Sequence, residues 1–95
     1  MSDRATVYRE GEHDFLWFYC AGCETNHRVP VTGPRKWTWN GRVDLPTLAP
    51  SILVTWTTPA GAHCCHSFVT DGRIRYLQDS THARAGQTVD LGPEP

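Results

Sequence analysis

Apolar and polar positions alternate along this chain with the short period of β-structure, and eight Gly and seven Pro interrupt the pattern every dozen residues or so. Residues 4–9 read as a first edge strand and Glu10-Gly11-Glu12 as a turn. The run Phe15-Leu16-Trp17-Phe18-Tyr19-Cys20 is apolar on both faces, which predicts a central strand ending on Cys20. Ala21-Gly22 then supplies a tight turn, and residues 27–31 resume an extended course until Pro34. Aromatic and polar residues alternate from Lys36 to Trp39, and Asn40-Gly41 is a favoured hairpin turn because both residues tolerate positive φ. Residues 45–50 hold Pro46 and Pro50, each lacking a ladder donor, so a rigid extended loop is expected rather than a central strand. Ser51 leaves that loop at the head of Ile52-Leu53-Val54-Thr55-Trp56, a run of strand composition.

Residues 63–70 run into Asp71-Gly72, a type I′ signal, and residues 73–77 follow as the second arm of a hairpin. Pairing Thr70 with Arg73 and counting outward sets Ser67 against Tyr76, His66 against Leu77, Cys65 against Gln78 and Cys64 against Asp79. The period of two then puts Cys64, His66 and Asp79 on one face, and His63 and Cys65 on the other. Between Asp79 and Gly86 an N-cap residue and a C′ glycine predict one short helical turn; residues 87–91 read as a last strand and 92–95 as a disordered tail. The expected fold is mainly β, a small antiparallel sheet or open barrel-like domain with a short helical turn. It forms a single domain over residues 1–95 with its core at about 4–91.

Ninety-five residues bury a thin core, so a cross-link or metal would help such a chain fold alone. A net charge of -1 argues against nucleic acid or an acidic membrane as partner. The N-terminus lacks an apolar stretch of signal-peptide type, and nowhere do 18 apolar residues run together, so a cytoplasmic protein is expected. There, cysteines serve as metal ligands or nucleophiles rather than as disulfides.

Cys20-x-x-Cys23 followed by His27 gives three ligands within eight residues, a spacing that suits tetrahedral Zn²⁺. Cys64, Cys65 or His63 can complete the set, with only one of the two cysteines ordinarily able to do so because they lie on opposite faces of their strand; the remaining alternative is a site that uses both hairpin groups and leaves His27 out. Four closed ligands make such a zinc structural, a staple for the domain. For nucleophilic chemistry there remain Ser51, held by Pro50 at a loop-to-strand junction, with His66 or His82 as base and Asp79 as the group that orients it. Each also has a plain structural role open to it: Ser51 as strand start, Asp79 as helix cap.

In order along the chain, Cys20-x-x-Cys23-x3-His27, Trp37 and Trp39, Pro46-Thr47-Leu48-x-Pro50-Ser51, Cys65-His66-Ser67-Phe68-x2-Asp71-Gly72, Asp79-x2-His82 and Ala85-Gly86-Gln87-Thr88 together resemble a small Cys/His-rich family of phage and bacterial genomes, the CEHH family, often mislabelled ammonia monooxygenase. The resemblance spans roughly residues 15 to 91. Such proteins accompany bacterial ubiquitin-like conjugation operons. The resemblance implies a zinc-stabilised fold with a serine-protease-like site, a peptidase or isopeptidase that trims or removes a ubiquitin-like protein at its tail. Its Cys-His motif falls on Cys65-His66, which implies Cys65 as the fourth ligand beside Cys20, Cys23 and His27. Its Pro-Thr-x-x-Pro-Ser motif falls on Ser51, and its Asp-x-x-His motif on Asp79 and His82. Two other readings remain open from the residues: a non-catalytic zinc-ribbon-like interaction module, such as a phage accessory factor, and a zinc metallopeptidase with Glu24 as base.

Overall fold

The computed structural model describes residues 3–92, which form two antiparallel sheets packed face to face on one core. The first sheet has the order β1 (Ala5–Glu10), β2 (His13–Cys20), β3 (Thr25–Pro30). The second follows chain order through β4 (Thr38–Trp39), β5 (Leu48–Thr58), β6 (Gly61–Thr70), β7 (Arg73–Tyr76) and β8 (Thr88–Asp90). Alternation decides which face turns inward: Leu16, Phe18 and Cys20 of β2, Val29 of β3, Cys65 and Val69 of β6, and Ile74 and Tyr76 of β7 are all buried. The other face of β2 carries Phe15 and Trp17, whose rings lie 5.0 and 5.8 Å from the Arg28 guanidinium carbon. That cation covers rings the core does not take.

The antiparallel β architecture is the one the alternation predicts, and β2 is central as expected. Two local expectations are corrected. Among the described residues there is no helix, and the short helical turn expected over 79–86 is a succession of tight turns instead. Gly86 takes φ +80° and returns its N–H to the Tyr76 carbonyl, so it closes a loop between strands where a helix C-terminus was expected. The second correction concerns Pro50, which lies inside β5 rather than in a loop before it. A proline is tolerated there because the pairing with β6 breaks at that point. The register passes from Leu48 opposite Val69 to Ile52 opposite Ser67, so Ala49, Pro50 and Ser51 together stand across from Phe68 alone. Of the tail expected to be disordered, residues 93–95 lie outside the described residues.

Two of these irregularities place side chains. The register shift in β5 falls at Ser51, which keeps the outward side that Leu53 also takes. On the other side of β6 the ladder with β7 ends at Tyr76, four residues short of Ser80, which takes over the pairing with its hydroxyl. Ser80 Oγ accepts from the His66 N–H (3.0 Å) and donates to the His66 carbonyl (3.1 Å), while Thr81 Oγ1 does the same for Cys64 at 3.0 and 3.1 Å. The loop after β7 is thereby stitched to β6 from Cys64 to His66.

Candidate active site and metal centre

Ser51, His66 and Asp79 form one hydrogen-bonded chain on the outer face of the second sheet. Ser51 Oγ lies 3.0 Å from His66 Nε2, and His66 Nδ1 lies 3.0 and 3.2 Å from the two carboxylate oxygens of Asp79. With a carboxylate on Nδ1, that nitrogen carries the proton, so Nε2 is left free to accept from the serine hydroxyl. This is the connectivity required of a nucleophile, its base and an orienting acid. Each member arrives by a different device: Ser51 from the β5 bulge, His66 from strand alternation, and Asp79 from the loop stitched down by Ser80 and Thr81. The expected cross-strand pairing of Asp79 with Cys64 does not form, because β7 has already ended. Instead Cys64 Sγ donates to the Asp79 carbonyl at 2.8 Å, which ties down the backbone of the residue that holds His66. The His66 side chain is 25% exposed and that of Asp79 58%, so this carboxylate is in partial contact with water.

Directly through the strand, Cys65 turns inward. Its sulfur stands 3.8 Å from that of Cys20, and the ligand atoms of Cys20, Cys23, His27 and Cys65 all lie within 4.8 Å of one another. These four are positioned to bind a metal ion. A tetrahedron with bonds of ~2.3 Å has edges of ~3.8 Å, which is the sulfur separation seen between Cys20 and Cys65. All four cysteines are free thiols, and 3.8 Å is far beyond a disulfide bond. His27 Nε2 is buried and has no hydrogen-bond partner among the described residues, a cost that a bound cation removes. Local backbone geometry prepares the first two ligands: the Glu24 N–H closes on the Cys20 carbonyl at 2.8 Å, Glu24 takes φ +57°, and the Cys23 N–H donates to Cys20 Sγ at 3.3 Å.

The thiols of the cluster also perturb one another. A hydrogen bond donated by Cys65 holds the Cys20 thiol far below its ordinary range, against the opposing effect of burial. Cys65 is pushed up by that same bond and by its own burial, and Cys23 is raised to about 11 by burial and by the charge on Cys20. A divalent ion deprotonates the thiols that coordinate it and removes this competition.

His82, the alternative base, is not brought to Ser51. Its Nε2 sits 3.4 Å from Cys65 Sγ, and its ring meets Tyr76 edge-on with centroids 4.7 Å apart. Gly22 makes room for it, since a Cβ at that position would come within 2.3 Å of the ring. Tyr76, with its hydroxyl 3.3 Å from Cys20 Sγ and accepting from the Gly22 N–H, completes a ring of groups around the cluster. The sequence places Tyr76 opposite Ser67 and offers Ser80 as a helix cap, but nothing in it marks Tyr76 as a neighbour of the cysteines or Ser80 and Thr81 as partners of β6. His63 is also outside the cluster, stacked on Trp56 with its Nε2 2.8 Å from Thr58 Oγ1. Glu24 stands exposed in the turn between β2 and β3.

A family model described as bacterial ubiquitination-like system serine protease (BubE) matches residues 1–77. The matched span holds Ser51, His66 and all four ligand-forming residues and stops two positions before Asp79. No curated protein and no solved structure matches the chain. The association with bacterial ubiquitin-like systems expected from the sequence agrees with this match, and a match over most of its length means that the chain belongs to the BubE family of bacterial ubiquitination-like system serine proteases.

Proposed function

We propose that this protein is a zinc-stabilised serine peptidase or isopeptidase acting at the tail of a bacterial ubiquitin-like protein, with Ser51 as nucleophile, His66 as general base and Asp79 as its orienting acid. The observation that carries the reading is the unbroken chain from Ser51 Oγ to His66 Nε2 and from His66 Nδ1 to Asp79 in a member of a serine protease family. As Ser51 Oγ adds to the scissile carbonyl, its proton passes to His66 Nε2. His66 then delivers it to the departing amine, and water repeats the sequence to free the acyl group. Asp79 keeps the Nδ1–H in place and balances the imidazolium that forms. His82 has no part in proton transfer in this scheme, since it faces Cys65.

Three sulfurs and one nitrogen within 4.8 Å of one another favour zinc among common divalent ions. Bound by Cys20, Cys23, His27 and Cys65, it would supply folding free energy and leave no open position for a catalytic water. The closed set and the exposed Glu24 speak against a metallopeptidase. Free thiols throughout suit the cytoplasm, and among the described residues no helix is long and apolar enough to cross a membrane.

Incubation with a ubiquitin-like precursor, read by mass, should give one product cut at the tail. Ser51→Ala should abolish that product and leave metal content unchanged. Cleavage persisting in Ser51→Ala would eliminate the serine mechanism.

A further inference from the structure

On its outer side β5 is paired only at Leu48 and Ala49, by β4; among the described residues nothing pairs with its edge from Ser51 to Thr58. The run Ser51-Ile52-Leu53-Val54-Thr55-Trp56-Thr57-Thr58 contains neither a charged residue nor a proline. Natural sheets protect an edge of this kind with lysines, prolines or bulges, because unpaired N–H and C=O groups recruit another strand. Here the only irregularity is at the head of the edge, where it presents Ser51. From Ile52 to Thr58 the open edge measures roughly 20 Å at ~3.3 Å per residue.

We propose that this edge is the substrate-docking strand: an extended, uncharged segment of the protein substrate adds antiparallel to β5, with its scissile carbonyl delivered to Ser51. The inference rests on Ser51 being the nucleophile and specifies how the chain to be cut is held. Polarity supports it. A strand antiparallel to β5 runs from the Thr58 end toward the Ser51 end, so the residues on the acyl side of the scissile bond lie along β5 and the bond itself comes to the nucleophile. Farther along, β4 already occupies the edge at Leu48 and Ala49, so pairing must stop at the cleavage point and the leaving group must turn away. A site built this way takes the end of a tail rather than the middle of a strand.

Side-chain surroundings fit an uncharged occupant. Leu53, directly across from His66, is 57% exposed and forms an apolar floor beside the base on one face. On the other, Val54 and Trp56 of β5, Thr25 and Asn26 of β3, and Cys23 and His27 of the metal centre line a groove of about 440 Å³ that has no carboxylate, lysine or arginine among its walls. That groove lies between β5 and β3, itself an edge strand of its sheet. Backbone pairing supplies affinity in this mode, and alternate side chains entering the two faces supply selectivity.

The test uses the full chain and two probes. A simple alkyl fluorophosphonate reports on the nucleophile alone: an Oγ–P bond forms, fluoride leaves, and His66 takes the serine proton. A series of alanine/valine peptidyl diphenyl phosphonates of one, three and five residues reports on docking, with phenol leaving as the same Oγ–P bond forms. The rate of labelling at Ser51, mapped by mass, should rise by roughly tenfold or more from the shortest to the longest peptide. N-methylation should erase that gain at alternate residues only, since every second N–H of an added strand faces β5. Labelling by the fluorophosphonate without any dependence on peptide length, or with the same response to N-methylation at every position, overturns the docking strand while leaving Ser51 as nucleophile. Failure of both probes to label Ser51 overturns the nucleophile and the docking strand together. A species of twice 10.7 kDa by light scattering, with β5 amides protected from exchange before any peptide is added, also overturns it, because a second copy then holds the edge.

Discussion

Asp79→Asn separates an orienting acid that works in water from one that works in a sealed site. The carboxylate lies 3.0 and 3.2 Å from His66 Nδ1, close enough for a full ion pair once the ring is protonated in the transition state. At about 3 Å the Coulomb energy is about 1.4 kcal/mol at the dielectric of water and about 5 kcal/mol at an effective value of ~20. With the Asp79 side chain 58% exposed, the effective figure falls toward the lower end, at about 1–3 kcal/mol, because exposed pairs are screened and rarely exceed about 1 kcal/mol in the ground state. The expected effect is a fall in kcat of roughly 5- to 150-fold with KM little changed. A buried triad acid gives a loss on the order of 10⁴ for the same change, partly by stabilising the wrong imidazole tautomer. The assay is kcat and KM on a ubiquitin-like precursor beside the phosphonylation rate of Ser51, each measured at low salt and again in about 1 M salt, where the Debye length is ~3 Å and the wild-type advantage should shrink. Placed in a Ser51→Ala background, Asp79→Asn should cost nothing more, since the three residues act as a unit. Unchanged kcat would remove Asp79 from the site, and a salt-independent loss near 10⁴ would refute the reasoning from exposure.

Three further outcomes follow from single contacts. Cys65→Ser should lose the metal and unfold the domain, whereas Cys64→Ser, whose hydroxyl can still donate to the Asp79 carbonyl, should keep both metal and fold; elemental analysis and circular dichroism distinguish them. Gly22→Ala puts a Cβ within 2.3 Å of the His82 ring and should destabilise by about 1–3 kcal/mol in thermal unfolding, the cost of overpacking, unless His82 is also shortened. Ser67 Oγ is fully buried without a partner among the described residues, so Ser67→Ala should leave Tm unchanged or raise it by up to about 4–8 °C, corresponding to ~1 kcal/mol in a domain of this size.

How far the sequence reveals this molecule depends on the range of the interaction concerned. The hairpin from Thr70 to Arg73 was legible because Asp71-Gly72 fixes the turn, and a period of two then puts Cys65 and His66 on opposite faces without any tertiary information. Cys20, Cys23 and His27 were legible for the same local reason. Pro50 was misread because a proline excludes a strand only where its missing N–H is needed, and the bulge that removes the need is a property of two strands together. The choice between His66 and His82 could not be made from spacing: both lie near Asp79 in sequence, and only the end of β7 at Tyr76 and the glycine at position 22 decide that His82 folds back onto Cys65.

On the proposed function, the adjacency of Cys65 and His66 would give a metal held by Cys20, Cys23, His27 and Cys65 a role in catalysis even though it would touch no reacting atom. A slip of β6 by one residue would exchange the faces of the strand, turning His66 into the core and Cys65 to solvent. In an ordinary small sheet such a slip is opposed by the burial of a few side chains, here Cys65, Val69 and Ser67 on one strand. The proposed zinc on Cys65 would add to that opposition a structural-site binding energy of about 10–16 kcal/mol, comparable with or greater than the ~5–14 kcal/mol total stability typical of a chain this long. The register that aims His66 at Ser51 is then as secure as the metal itself. Partial metal loss should accordingly reduce the fraction of active molecules in proportion to bound zinc and leave kcat per zinc-loaded molecule constant. Titrating active sites with a fluorophosphonate against zinc content during slow chelation measures both quantities, and a kcat per loaded molecule that drifts as zinc is removed would show that the metal tunes the triad rather than fixing its register.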